Sequence, residues 1–91
     1  MELQFEWDEE KEKINIIKHG IDFQTASHVF LDLNRLEFYD EKHSTTEEDR
    51  YITIGLVEEV LTVVYTERTT ALRIISARAA TKKERMAYYG D

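Results

Sequence analysis

The side chains best suited to chemistry are the cations near the end of the chain. From Arg68 onward the sequence holds six lysines and arginines against two acids, whereas the residues before it hold six against seventeen. A local cluster of cations attracts anions even when the net charge of the protein, here −7, is negative. Planar guanidinium groups bind phosphate through paired donors. We therefore predict a phosphate site that contains Arg68, Arg73 and Arg78, with Glu67 as its acid or base.

Two interpretations of these arginines stay open at the level of composition. They could pair with the many carboxylates as exposed salt bridges, which contribute about 0–1 kcal/mol each. They could instead bind phosphate, with Lys82 and Arg85 of the predicted last helix holding the flanking phosphates of a chain. Tyr88 is then a candidate to stack on a base or donate a proton, although tyrosines in short terminal helices more often serve packing.

The three histidines do not have the spacing of a metal-binding pair. His19 is predicted to donate to the last carbonyls of the first helix, and His43 to lie in a loop. Either is also a candidate acid or base near neutral pH. The sequence has no cysteine, no glycine-rich phosphate loop and no dinucleotide motif, so we expect neither a metal nor a cofactor.

Two helices are predicted at the N-terminus. Asp8 is a favourable N-cap for a helix over Asp8–His19, and Gly20 a favourable end. Asp22 predicts a second helix from Phe23 to about Leu31. Together they predict a helical hairpin.

The faces of the first helix follow from its spacing. Isoleucines at helical spacing predict the core-facing side, namely Ile14, Ile17 and Ile21. A polar stripe runs along another side, made of Lys11, Asn15 and Lys18. This stripe is either a solvated face or a surface that binds phosphate or an acidic partner. In the second case Lys18 and His19 contact the RNA phosphates.

Four strands and a final helix are predicted in the rest of the chain. Strand patterns cover residues 36–39, 50–57, 60–66 and 72–77, separated by a polar loop over 40–49 and by short turns. In the last strand, Arg73 is predicted to share a face with Ile75 and Ala77. Thr81 and Glu84 form a capping-box pattern for a helix that ends near Tyr89.

This order predicts an α+β fold with two N-terminal helices, a meandering antiparallel four-stranded sheet and a C-terminal helix. With 91 residues and no proline, the chain is predicted to form one domain over residues 1–91. It has no long apolar run and no signal-peptide pattern, so we predict no membrane contact and a cytoplasmic location.

Ordered motifs over nearly the whole chain resemble the BrnT toxin family. The first block is Phe5-Glu6-Trp7-Asp8 with Lys11, Asn15, Lys18-His19-Gly20, Phe23 and Ala26. The later blocks are Asp40, His43-Ser44, Glu48 and Arg50; Gly55; Tyr65-Thr66-Glu67-Arg68; and Arg73-Ile74-Ile75-Ser76-Ala77-Arg78 with Thr81 and Glu84-Arg85. The chain departs from the family pattern at Ala79, where a basic residue is usual, and at Thr69-Thr70-Ala71, where a glycine turn is usual.

The resemblance implies a type II toxin with a RelE-like fold. Such a toxin is a small ribonuclease that cuts RNA, blocks translation and is neutralised by a BrnA-type antitoxin. That antitoxin class dimerises and binds DNA, so operator DNA would be contacted only through the antitoxin.

A metal-free ribonuclease must activate a 2′-hydroxyl, stabilise charge on the phosphoryl oxygens and protonate the leaving oxygen. We assign Arg73 and Arg78 to charge stabilisation, and Glu67 with Arg68 to positioning or proton transfer. The alternative function is a protein-binding module without activity, whose cationic face is filled by acidic side chains. A direct DNA-binding function is disfavoured, because the sequence has no helix-turn-helix pattern.

Overall fold

The computed structural model describes residues 3–90, which form a five-stranded mixed sheet and three α-helices. The strands lie in the order β1-β5-β4-β3-β2. In chain order the elements are β1 (Phe5–Trp7), α1 (Glu9–His19), α2 (Phe23–Ser27), a 3-10 helix (His28–Leu31), β2 (Leu36–Tyr39), β3 (Tyr51–Val57), β4 (Glu59–Glu67), β5 (Leu72–Ala79) and α3 (Lys82–Tyr89).

The α+β class and the antiparallel meander from β2 to β5 are confirmed, but the predicted strand count is wrong. The fifth strand, β1, pairs parallel to β5, with Glu6 opposite Arg73. A three-residue strand is too short for a periodic pattern to reveal it. The predicted second helix also breaks at His28, where α2 gives way to the 3-10 helix.

The predicted capping residues are confirmed for all three helices. The Asp8 carboxylate accepts hydrogen bonds from two backbone amides of the first turn of α1, and Gly20 ends that helix at φ 71°. Asp22 caps α2 through the Thr25 amide. Thr81 and Glu84 form the predicted capping box of α3.

The core lies between one face of the sheet and the segment formed by α2 and the 3-10 helix. We call this side of the sheet the covered face. Its buried side chains are Phe23, Ala26, Val29, Phe30, Leu61, Val63, Tyr65, Ile74 and Ala77. At Gly55 of β3 an added Cβ would lie 3.0 Å from the Cβ of Val29, so glycine allows the 3-10 helix to sit close to the sheet.

The predicted orientation of α1 is wrong. Ile14 and Ile17 are 51% and 84% exposed, whereas Asn15 is 5% exposed. The Asn15 amide donates to the Ala77 carbonyl at 2.9 Å and accepts from the Ala77 N–H at 3.0 Å. The cause is the short β1, which leaves the end of β5 without a strand partner. A hydrogen-bonding side chain therefore replaces the strand there.

A β-bulge in β5 changes the predicted faces of that strand. Val64 pairs with Ser76 and Tyr65 pairs with Ile74, so Ile75 is the extra residue. As a result Ala77 lies on the covered face with Ile74, contrary to the prediction. Arg73 and Arg78 would lie on opposite faces of a regular strand, because their separation is an odd number of residues. The bulge places both on the same face of the sheet.

In the part of the chain from residue 3 to residue 90, no helix is long and apolar enough to cross a bilayer.

Candidate functional site

The sheet face opposite the core carries a row of polar side chains, and we call it the open face. The register places Thr66 opposite Arg73, and Arg73 opposite Glu6. Arg50 immediately precedes β3 and lies beside Thr66, whose hydroxyl donates to the Asp49 carbonyl at 2.7 Å. One row across four adjacent strands therefore contains two arginines.

The arginines at this end of the open face are held by carboxylates. The Arg73 Nε atom lies 2.9 Å from a Glu6 carboxylate oxygen, and the Arg50 Nε atom lies 3.2 Å from Glu48. Arg68 contacts the same Glu48 side chain at 3.7 Å. Within residues 3–90, the terminal Nη groups of Arg50 and Arg73 make no hydrogen bond. These pairs therefore orient the two guanidinium groups and leave donors for an anion.

Arg78 lies at the opposite end of the open face and is more fully engaged. Its partner Thr62 lies four residues along β4 from Thr66, the partner of Arg73, so the two arginines are about 13 Å apart. The two Nη atoms of Arg78 donate to the two carboxylate oxygens of Glu84, at 2.7 and 3.0 Å. This fork-shaped pair lowers the pKa of Glu84 to about 2 and raises the pKa of Arg78 above its usual value. Glu84 therefore occupies the paired donors that a bidentate phosphate contact of Arg78 would use.

Glu67 lines a hollow with Arg68 but not with Arg73 or Arg78, so the single hollow predicted for all four residues is not present. Strand alternation places Glu67 on the same side as Tyr65, the covered face. Its carboxylate lies close to Tyr51, and burial together with the charge of Glu67 raises the pKa of Tyr51. The sequence shows that Glu67 and Arg68 are adjacent. It does not show that Glu67 and Arg73 lie on opposite faces of the sheet.

A cationic hollow of about 290 Å³ lies between α1 and β5. Its lining is Lys11, Ile14, Asn15, Lys18, His19, Arg50, Ile75 and Ser76. Lys18 and His19 were predicted to contact RNA, whereas Lys11 and Arg50 were not assigned to the site. For Lys11 the sequence does hold a signal, because Lys11 and Lys18 are at helical spacing and lie on one side of α1. No sequence signal places Arg50 here, because it is distant along the chain from both elements.

Comparison with known proteins identifies the family. A family model described as "Ribonuclease toxin, BrnT, of type II toxin-antitoxin system" matches residues 7–84. The chain belongs to this family. It is also similar to the crystal structure of the ribonuclease toxin BrnT of Brucella abortus, with 28% sequence identity and a TM-score of 0.68 over 89% of this chain and 100% of that chain. No curated protein sequence matches the chain significantly.

Membership of the BrnT family confirms the resemblance seen in the motifs. A family of type II toxin–antitoxin systems implies a protein antitoxin as a partner. The family model ends at Glu84, so it includes the arginine row, the hollow beside α1 and the Arg78–Glu84 pair.

In this BrnT-family chain, α3 brings its polar side chains to the Arg78 end of the sheet. Lys82 is exposed, and Arg85 donates to the Ala80 carbonyl at 2.7 Å. The Tyr88 hydroxyl donates to Asp32, and this hydrogen bond raises the pKa of Tyr88 to about 12. Tyr88 thus attaches α3 to the body, and this bond makes it a poor proton donor.

Of the histidines in this BrnT-family chain, His19 differs from its predicted setting and His43 does not. Gly20, not His19, supplies the hydrogen bond that ends α1, through its N–H to the Ile16 carbonyl. His43 lies in the predicted loop, where its ring contacts Asp40. Among residues 3–90, no group of three or more histidine, aspartate or glutamate side chains is placed to hold a metal ion.

Proposed function

We propose that this protein is an endoribonuclease toxin that cleaves RNA without a metal ion and thereby inhibits translation. The supporting observation is the open face, where Arg50 and Arg73 keep free Nη groups and Arg50 also lines the cationic hollow beside α1. The chain as a whole is anionic, with a net charge of −7. The lysines and the arginine of this hollow nevertheless create a local positive potential, which attracts an anionic substrate.

The proposed substrate path follows the arrangement of the cations. Arg50 and Arg73 hold the phosphate that is cut and stabilise the charge that develops on its oxygens. Lys11, Lys18 and His19 contact the neighbouring phosphates on the α1 side. On the α3 side, Arg78, Lys82 and Arg85 contact a longer RNA strand, with Arg78 released from Glu84.

Of the four residues first predicted as catalytic, Arg78 is assigned to the RNA contacts on the α3 side, and the other three have different roles. Arg73 keeps its role in charge stabilisation. Arg68 contributes through Glu48, which it shares with Arg50, and so helps to position the arginine row. Glu67 lies on the covered face and is left out of the reacting group.

The proposed partner is a BrnA-type antitoxin that blocks the cationic face. An acidic segment is the chemistry that complements Lys11, Lys18 and Arg50. Operator DNA is then bound by the antitoxin, since this chain carries a net charge of −7.

The direct test is cleavage of a single-stranded RNA by the purified protein in the presence of EDTA. Cleavage is expected, and Arg73→Ala is expected to lower kcat/KM by about 100-fold, the magnitude typical of a lost charge-stabilising donor. The matched control is Arg35→Ala, because Arg35 forms an ion pair with Glu37 away from the site and should retain wild-type cleavage.

Intact RNA under all these conditions would contradict the proposal and favour the protein-binding module. A second readout is growth of bacteria that express the protein, with and without the gene that follows it. Growth arrest that this neighbouring gene relieves is expected, whereas normal growth and intact cellular RNA would count against a toxin.

A further inference from the structure

The loop between β2 and β3 holds a histidine against a buried carboxylate. Asp40 follows β2, and its side chain is 7% exposed. The His43 Nδ1 atom lies 2.9 Å from one Asp40 carboxylate oxygen, and the His43 amide donates to the other at 3.3 Å. The His43 side chain is 60% exposed, so its ring combines a fixed edge with a solvent-facing edge.

Backbone and hydroxyl contacts fix this pair beside Arg50. The Asp40 amide donates to the Arg50 carbonyl at 2.8 Å, which continues the pairing of β2 and β3 by one residue. The Ser44 hydroxyl accepts from the Arg50 amide at 2.8 Å and donates to the Asp40 carbonyl at 2.7 Å. The loop is therefore closed at its base, and His43 is held next to the arginine row.

The direction of the hydrogen bond decides which ring nitrogen is available. An ionised carboxylate only accepts hydrogen bonds, so the imidazole must carry its hydrogen on Nδ1 to bond with Asp40. The other nitrogen, Nε2, then presents a lone pair on the exposed edge of His43. An imidazole oriented in this way by a carboxylate is a general base.

Register places the pair in the same row as the phosphate-binding arginines. Asp40 lies beside Arg50, Arg50 beside Thr66, and Thr66 opposite Arg73. Neighbouring strands are about 4.8 Å apart, so Asp40 and Arg50 are one strand spacing apart. A phosphate held by the Nη groups of Arg50 would therefore lie on the face of the sheet toward which Asp40 points.

We propose that His43 is the proton-transfer residue of the ribonuclease reaction and that Asp40 is its positioning residue. The proposal rests on the ribonuclease function proposed above and adds to it the group that moves the proton. Its geometric basis is the imidazole–carboxylate pair in the row that begins at Asp40 and continues through Arg50 to Arg73.

His43 Nε2 takes the proton of a ribose 2′-hydroxyl, and the oxygen lone pair forms a bond to the adjacent phosphorus. The bond from phosphorus to the 5′-oxygen breaks, its electron pair stays on that oxygen, and water supplies the proton. The products are a 2′,3′-cyclic phosphate and a 5′-hydroxyl, and the imidazolium returns its proton to the resulting hydroxide.

Other candidate proton-transfer groups fit this position less well. The Tyr88 hydroxyl is bonded to Asp32 at the far end of the sheet, and Glu67 lies on the covered face. His19 lines the hollow, but among residues 3–90 no carboxylate hydrogen-bonds to its ring. His43 alone among these groups has both an orienting carboxylate and an arginine neighbour.

The test compares single-turnover cleavage by wild type, His43→Gln, Asp40→Asn and the control His28→Gln. His28 is exposed on the 3-10 helix, on the opposite side of the sheet. We expect His43→Gln to lower the cleavage rate by about 100-fold or more, as for loss of a general base. Asp40→Asn should reduce the rate by a smaller factor, and His28→Gln should leave it unchanged.

Binding and rescue measurements separate a catalytic role from a structural one. His43→Gln should bind an RNA whose 2′-hydroxyls are all methylated as tightly as wild type does. Added imidazole should restore cleavage to His43→Ala and not to Arg73→Ala, and the products should carry 2′,3′-cyclic phosphates.

Each failure has a different meaning. Wild-type protein that leaves RNA intact would overturn both the ribonuclease function and this proposal. Wild-type cleavage together with equal cleavage by His43→Gln would overturn only the role of His43. Loss of cleavage in a His43→Gln protein that melts normally but no longer binds methylated RNA would show a binding role and would also reject proton transfer.

Discussion

At the scale of single residues, Asn15 shows how one polar side chain replaces a missing strand. It is buried and bonds to both backbone groups of Ala77 and to the Ile21 carbonyl. Loss of such a side chain leaves a buried N–H and a buried C=O without partners, and each of these costs about 1–3 kcal/mol. The amide therefore stabilises the contact between α1 and β5.

We predict that Asn15→Ala lowers the free energy of unfolding by about 2–4 kcal/mol, because two buried backbone groups lose their partners. Urea unfolding at neutral pH measures the change. Asn34→Ala is the matched control, since Asn34 is exposed and its side chain makes no hydrogen bond within residues 3–90. A loss at Asn15 no larger than at Asn34 would contradict this account.

Residue types were easier to predict than residue directions. Arg73 and the capping residues could be singled out because charge and capping patterns are local. The burial of Asn15 and the exposure of Ile17 could not, because they depend on the length of β1 and on where it leaves β5 uncovered. The same holds for Arg50, which only the sheet register brings to Arg73.

At the scale of secondary structure elements, α3 is attached to the body by polar contacts and by Tyr88, which packs against a small apolar cluster of Ile54, Val60 and Ala80. None of the residues of α3 is buried. Glu84 accepts hydrogen bonds from Arg78, from the Thr62 hydroxyl and from the Thr81 amide, and Tyr88 donates to Asp32. The position of α3 therefore depends on the ionisation of a carboxylate.

We predict that acid weakens the contact between α3 and the sheet. The pKa of Glu84 is lowered from 4.5 to about 2, so its stabilising effect is present above pH 4.5 and is lost as the pH falls toward 2. A double-mutant cycle with Glu84→Gln and Arg78→Met should give a coupling free energy of about 1–2 kcal/mol at pH 7.

The glutamine variant retains the capping box, so the cycle isolates the charge. Urea unfolding at pH 7 and pH 3 provides the four free energies at each pH. The coupling should be smaller at pH 3, and a coupling that is equal or larger there would contradict the assignment.

At the scale of the whole molecule, charge is divided between an acidic body and the cationic hollow beside α1. The net charge is −7, yet the hollow beside α1 contains Lys11, Lys18 and Arg50. Such a distribution weakens attraction at long range and keeps it at short range, since screening lengths are about 8 Å at physiological salt. RNA affinity should therefore depend on a small number of phosphate contacts.

We predict that Arg50→Ala reduces the salt dependence of RNA binding. Each phosphate contact to a single strand contributes about 0.7 to the slope of log K against log salt, so the slope should fall by about that amount. Fluorescence anisotropy with a methylated RNA at several salt concentrations measures it. Lys13→Ala, which breaks a surface pair with Glu10 outside the hollow, should leave the slope unchanged.

The order of elements could be predicted for the whole molecule, whereas its assembly into a surface could not. Alternating strands and capped helices give the α+β class because these signals are contained in short windows. The parallel edge strand and the row that begins at Asp40 arise from pairings between distant segments. Only coordinates show which carboxylate each arginine has as its partner.

The extra residue at Ile75 has a consequence for reading related sequences. In a regular strand, two positions five apart point in opposite directions, so an aligner that treats β5 as uninterrupted would place Arg78 in the core. Removing one residue between Arg73 and Arg78 would place them four positions apart, so regular alternation would then keep both on the same face. When residues of β5 are assigned to the two faces of the sheet, the alternation must therefore restart after the bulge.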